Sequence, residues 1–565
     1  MNTGKDNKQS FMKNVSIILF AQFAVKILGM IYRIVITNVD GFGNEGSGYY
    51  SAGFNVYTLL LALSSVGIPN AISKMTSERI ALEDERGAHK IFKTALILFS
   101  AIGLICTAAM FFGAGWIARY IIAMPGAKYV LMALSPSILF VCVSSVIRGY
   151  FNGMKNMTAT AASQILEQIF KSLFTIGIVL IMAGLTFYPT DDFKAQMLAA
   201  GANLATSIAT VLSFLYLLVF YMRRKNAITA SINKSAAETI ENSFTGVCKS
   251  ILLVSIPISL GSIISAINRI VDTATITRGI RAAFANVIPA HDNAAAIISP
   301  SISALDKEAA RLSGMLGKSD TLINLPVALN IAFATVLVPS IAGELAVGNK
   351  KAASSKVSFS LLISILIIFP CVVGYLVLGQ PIYKLLYPSV PDGYKLLQLS
   401  AVSLIFIALN QTISGSLQGC GKIYAPATGL FIGCIAKFIL NIILIRQPSI
   451  NIYGAPISSI VCQAISFCYG FTVLRRNVPV SMKKTKYIIK PAACSIVMGA
   501  AAFFLYKALI YVLHSNTVSL LLTIAAAAVI YIALILGAKI LNEDEIQQMP
   551  AGDKLIGILK KFRMI

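Results

Sequence analysis

Fourteen stretches of the chain are apolar over a length that lets a helix cross a bilayer, which takes roughly 20 residues. They fall at 14–37, 49–76, 90–113, 128–152, 157–184, 195–222, 249–276, 320–347, 352–380, 394–420, 424–445, 452–474, 487–512 and 517–540. The runs are continuous and too long for strands, so the pattern predicts an all-α integral membrane protein of about 14 transmembrane helices. The first run is too long for a signal peptide and has no clear cleavage site, so it is expected to stay as helix 1.

The runs repeat. Lys13–Val35 lies over Lys249–Val271 without a gap, and Arg33-Ile34-Val35 then meets Arg269-Ile270-Val271. Further on, Arg148–Phe174 lies over Ser414–Leu440, which brings Gly149 to Gly415, Gly153 to Gly419 and Lys171 to Lys437. The expected organisation is two pseudo-symmetric six-helix lobes, 1–222 and 249–476, joined by a cytoplasmic linker, 223–248. Helices 13 and 14 with a basic tail, 477–565, are appended. Parallel repeats of this kind are a transporter plan with the substrate site between them. An insertion at 278–318 has no counterpart in the first lobe and is expected to form an external cap or short surface helices.

Composition agrees with a membrane protein, since 57% of the residues are hydrophobic and 12% charged, against about 25% charged in soluble domains. The net charge of +24 does not require a nucleic-acid partner. The basic runs at 223–225, 350–351 and 475–484 fall on the same side as the N-terminus, as the positive-inside bias requires. Both termini are therefore expected in the cytoplasm.

Several motifs fail their context. Gly41-Phe-Gly43-Asn-Glu-Gly46 has dinucleotide-binding spacing but sits between two spans rather than at a strand-to-helix turn. Gly317-Lys318-Ser319 lacks the earlier glycine of a phosphate-binding loop, where Leu312 stands instead. The nine cysteines form no CxxC, and His89, His291 and His514 are scattered. No metal, cofactor or catalytic arrangement is expected, so the protein is not read as an enzyme.

Charges inside the spans carry the functional signal. Each costs at least about 2.5–3.5 kcal/mol near the bilayer centre and marks a candidate site by default. The cations are Lys26, Arg33, Arg148, Lys171, Arg269, Lys437 and Lys507; the anions are Glu167 and Asp272. Lys507, near a helix end, is expected to snorkel. Glu167 precedes Lys171 by four residues and Asp272 follows Arg269 by three, so each can pair on its own helix. Across the repeat, however, cation meets cation, while Glu167 meets Gly433 and Asp272 meets Ile36. The surplus of positive charge points to a cavity for an anionic group, and arginine suits phosphate because its fork reaches two oxygens at once. Lys26 meets Ser262 in the repeat and has no counterpart.

Lys26-Ile-Leu-Gly-Met-Ile-Tyr-Arg33, Gly67-Ile-Pro-Asn-Ala-Ile-Ser-Lys74, Arg148-Gly-Tyr-Phe-Asn-Gly-Met-Lys155, Gln164-Ile-Leu-Glu-Gln168, Leu325-Pro326 and Val338-Pro339-Ser-Ile-Ala-Gly-Glu344 recur in order along the chain. In these motifs the sequence resembles the multidrug/oligosaccharidyl-lipid/polysaccharide (MOP) exporter superfamily. Within it, the similarity is to the stage V sporulation protein B and MurJ-type lipid II flippase branch. The resemblance implies two bundles in a V around a cationic cavity, working by alternating access. The implied substrate is an undecaprenyl-pyrophosphate-linked cell-wall precursor moved from the inner to the outer leaflet. Helices 13 and 14 would form a groove for the polyprenyl tail. By the same resemblance helix 1 supplies cations, which map onto Lys26 and Arg33; Lys26 stands where that branch usually has arginine.

The expected substrate-binding residues are Lys26, Arg33, Arg148, Lys171, Arg269 and Lys437, with Glu167, Asp272, Lys74 and Glu344 tuning or gating them. Expected partners are a lipid-linked glycan, membrane lipids and cell-wall synthesis proteins. The alternatives are a cation-coupled multidrug exporter of the same fold and a flippase for another lipid-linked polysaccharide unit.

Overall fold

The computed structural model describes residues 24–62, 67–234, 243–284, 298–346, 348–480, 483 and 485–541. Among the described residues every long element is a helix and there is no strand. In chain order the helices are α1 (24–37), α2 (Gly43–Ala62), α3 (Ile68–Ala81), α4 (Glu85–Trp116), α5 (Ala127–Gly153), α6 (Thr158–Ala183), α7 (Asp191–Lys234) and α8 (Phe244–Phe284). There follow α9 (Ile298–Ala346), α10 (Lys350–Leu386), α11 (Tyr394–Gly419), α12 (Ala425–Leu444), α13 (Gly454–Asn477), α14 (Lys490–Leu513) and α15 (Asn516–Gly537).

Ten of these elements are long and apolar enough to cross a membrane, or eleven when the two arms of α8 count as one span. The protein is thus a multi-pass, all-α membrane protein. The three remaining apolar runs, 14–37, 49–76 and 320–347, each include residues outside the described set.

Local sequence sets the breaks. Asp84 caps α4 by accepting from the Gly87 N–H at 2.7 Å, and Asn349 caps α10 by accepting from Ala352 at 3.1 Å, each satisfying a donor orphaned at a helix start. Pro69 opens α3, where its missing N–H costs nothing. In α8 the axis turns by 52° between Phe244–Ile256 and Ile258–Ala283. Pro257 stands at that break and removes one hydrogen bond of the ladder.

The chain forms two compact units, Met1–Gly317 with Phe438–Ala455, and Lys318–Lys437 with Pro456–Ile565. The core of the first runs from Tyr32 through Tyr49, Phe92, Leu131, Ile147 and Leu198 to Ala310, drawing on α1 to α9. The second holds two apolar clusters, one around Leu361 and Ile413 and the other around Leu362, Met498 and Leu520. Here α14 and α15 pack on each other and on α10.

The insertion after helix 7 was expected as a cap or short surface helices. Instead its described residues prolong α8 to Phe284 and open α9 at Ile298, while 285–297 lie outside the described set. Arg278 donates to the carbonyls of Tyr120 and of Ile121, and Arg281 to that of Ala123 at 2.7 Å. These carbonyls belong to the π-helical turn Ile117–Ile121 and the residues after it, where the end of α4 leaves acceptors open. Arg281 also binds Asp306 of α9, with Nε to Oδ1 at 2.8 Å.

The start of α9 lies directly against α2. A Cβ at Gly48 would stand 2.0 Å from the Ala310 carbonyl oxygen, and one at Gly314 would stand 1.8 Å from that of Asn44. Only glycine permits this approach. Gly48→Ala and Gly314→Ala should each cost about 1–3 kcal/mol of stability as overpacking. Gly177→Ala, with nothing within 4 Å, should be neutral or stabilising by about 0.5–1 kcal/mol. Unfolding midpoints in detergent measure this; equal midpoints for the three variants would contradict the close crossing.

Candidate functional site

The site is built on α1, α2 and α6 of the first unit. Helical spacing puts Lys26, Gly29 and Arg33 on one stripe of α1. Tyr50, Phe54 and Tyr57 form a stripe of α2, and Gln164, Glu167, Gln168 and Lys171 form one of α6.

At the centre is a pair of buried phenols. The hydroxyls of Tyr32 and Tyr50 are 2.9 Å apart, and the two side chains are 4% and 2% exposed. Two cations rest on them. The Arg33 guanidinium lies 4.8 Å from the centre of the Tyr50 ring and donates from Nη2 to Ser51 Oγ at 2.7 Å. Lys171 Nζ lies 4.8 Å from the Phe54 ring centre and 5.6 Å from that of Tyr32. Ring faces attract cations.

Lys26 adds a third charge, within electrostatic reach of both Lys171 and Arg269 and of the Tyr32 phenol. Among the described residues, none of Lys26, Arg33 and Lys171 forms an ion pair. Like charges gathered in a medium of low dielectric repel strongly.

The other expected residues are placed differently. Arg148 is committed to the protein, donating to Ser163 Oγ at 2.9 Å, Glu167 Oε2 at 2.8 Å and Ser213 Oγ at 3.0 Å. Glu167 thus pairs with Arg148 of α5, where the sequence spacing had offered Lys171. The Asp272 carboxylate accepts from Asn441 Nδ2 at 3.0 Å, and Asn441 also donates to Thr275 Oγ1 at 2.9 Å. Lys437, 2% exposed, belongs to the second unit. Lys74 is exposed on α3, 3.9 Å from Glu78, and Glu344 accepts from Lys356 at 2.6 Å.

Sequence reasoning passed over Tyr50, Ser51 and Phe54, the residues of α2 that hold the cations. Their signal was the spacing of Tyr50, Phe54 and Tyr57, three aromatics on one helix face. A cavity of about 250 Å³ opens beside the cluster, lined by Val25, Lys26, Arg148, Gln164, Glu167 and Gln168.

Residues 11–343, more than half of the chain, match the family model described as polysaccharide biosynthesis protein. The chain belongs to that family. Among its relatives, stage V sporulation protein B of Bacillus subtilis is 25% identical over 555 residues, covering 97% of this chain and 99% of the relative. Lipid II flippase MurJ of the same organism is 25% identical over 509 residues, 87% of each chain. A solved structure titled as the inward closed conformation of lipid II flippase MurJ shares the fold, with a TM-score of 0.64 at 17% identity, covering 91% of this chain and 97% of that one. The resemblance read from the sequence motifs is borne out by these matches, and so is the all-helical membrane fold. The polysaccharide biosynthesis protein family membership also agrees with a protein that is not an enzyme, since the named relatives are a flippase and a sporulation protein.

The Arg148–Glu167 pair makes a separable prediction. Arg148→Met strands a carboxylate and should cost about 2 kcal/mol of stability, below the ~3–5 kcal/mol of a fully buried pair because the Glu167 side chain is 27% exposed. Arg148→Met with Glu167→Met should recover at least half of that loss in the unfolding midpoint. Losses that simply add would show that the two side chains are independent.

Proposed function

We propose that the protein is a flippase that moves a polyprenyl-pyrophosphate-linked cell-wall precursor, of the lipid II kind, from the inner to the outer leaflet by alternating access. The observation that carries this is the group of Arg33 and Lys171 on the Tyr32–Tyr50 pair, with Lys26 within electrostatic reach of both Lys171 and the Tyr32 phenol. A pyrophosphate supplies the negative charge the cluster lacks, and Arg33 can hold two of its oxygens at once. Asp272, in the same unit as the cluster, is a charge-tuning carboxylate, and Lys437 is a supporting cation of the second unit. The names of the relatives support the substrate class. The basic runs on one side of the spans support cytoplasmic termini in a bacterial plasma membrane, with fourteen spans in all.

A pump for cationic drugs would call for acidic groups where these cations stand. The test is translocation of a fluorescent undecaprenyl-pyrophosphate glycan in vesicles containing the purified protein. Arg33→Ala and Lys171→Met each remove a charge-assisted contact worth about 1.5–3 kcal/mol, so each should slow translocation roughly 10- to 100-fold. Unimpaired flipping, or export of a cationic dye that survives both changes, would sink the proposal.

A further inference from the structure

The cavity beside the cation cluster differs from it in chemistry. Four of its six lining residues present polar groups from α1 and α6, namely Lys26, Gln164, Glu167 and Gln168. Gln164 makes no side-chain hydrogen bond among the described residues, and neither does Lys26. Among the described residues the Gln168 side chain reaches only Ser172 Oγ, at 3.5 Å. Two carboxamides one turn apart thus face a cavity of mixed polar and apolar lining with their donors and acceptors largely unspent, open to a ligand or water.

The charges narrow the class of ligand. Glu167 repels an anion, Lys26 repels a cation, and Arg148 is consumed by Ser163, Glu167 and Ser213. A neutral ligand with many hydroxyls fits, because carboxamides and a carboxylate accept from hydroxyls while carboxamides and an ammonium donate to them. Such hydroxyls also reproduce the bonds of any water they displace. The volume, about 250 Å³, is below the ~300–1,000 Å³ of pockets for drug-sized ligands and suits a single sugar ring. Lys26 lines this cavity and is also within reach of Lys171 and Arg269, so a ring seated here adjoins the anion site.

We infer that the cavity between α1 and α6 is a sugar subsite, in which Gln164, Gln168 and Glu167 read the first sugar of the lipid-linked glycan. The assignment rests on the phosphate role proposed above for the cation cluster. It divides recognition in two: the cations hold the phosphates that all such lipids share, and the carboxamides distinguish the glycan.

The test compares binding of undecaprenyl pyrophosphate with and without one N-acetylhexosamine to the full-length protein in nanodiscs. Gln164→Leu and Gln168→Leu keep volume and remove the amides. Gly29→Leu sets an apolar side chain against the Gln168 amide without deleting a polar group, since a Cβ there would already lie 3.5 Å from Gln168 Nε2. Each variant that keeps the wild-type unfolding midpoint should bind the sugar-bearing lipid about tenfold more weakly and the sugar-free lipid as before. Unchanged binding of the sugar-bearing lipid in Gly29→Leu, or equal weakening of both lipids in the glutamine variants, would overturn the subsite. Arg33→Ala separates the two claims, for it should weaken both lipids together. If Arg33→Ala leaves the sugar-free lipid untouched, the phosphate role fails whatever the glutamine variants do.

Discussion

The hydrogen-bonded phenols of Tyr32 and Tyr50 are the contact on which the site depends. A cation inside a helix bundle needs a partner, and the usual one is a carboxylate. Here Lys171 and Arg33 are supported by ring faces and, for Arg33, the Ser51 hydroxyl. Such groups stabilise a cation without neutralising it. The positive charge therefore stays available to a ligand, which an ion pair would have prevented.

The surrounding packing holds the phenols in place. Tyr50 stacks on Phe54 with centroids 5.7 Å apart. The glycine-mediated crossing of α2 and α9 fixes α2 from its other end, and Arg278 and Arg281 fasten the end of α8 to the open carbonyls after α4. The one carboxylate on the α6 stripe is drawn off by Arg148, so that Glu167 does not neutralise Lys171. Charge separation of this kind is a tertiary effect, because α5 and α6 must both be in place before Arg148 can compete.

That is why the sequence showed some of this and not the rest. Long apolar runs read directly as helices, and the stray cations within them were visible as expensive. The pairing of Glu167 was not, because spacing along one helix reports only neighbours at three and four residues. The insertion misled because its length and its lack of a counterpart in the first lobe read as a long loop. Yet Ile276, Ile280 and Ala283, all buried, recur at helical spacing and continue α8 through it. The cation supports on α2 were hidden by chemistry: tyrosines in an apolar helix look like core until a charge is found lying on them.

The central claim is that cations left without a carboxylate partner select a lipid by its phosphates. The direct measurement is binding of undecaprenyl pyrophosphate against undecaprenol by the unmodified protein in nanodiscs. The same tail then appears with and without the charge. Binding at least a hundredfold tighter for the pyrophosphate is expected, since two or more charge-assisted contacts are worth about 3 kcal/mol or more together. Equal binding of the two lipids would contradict the account.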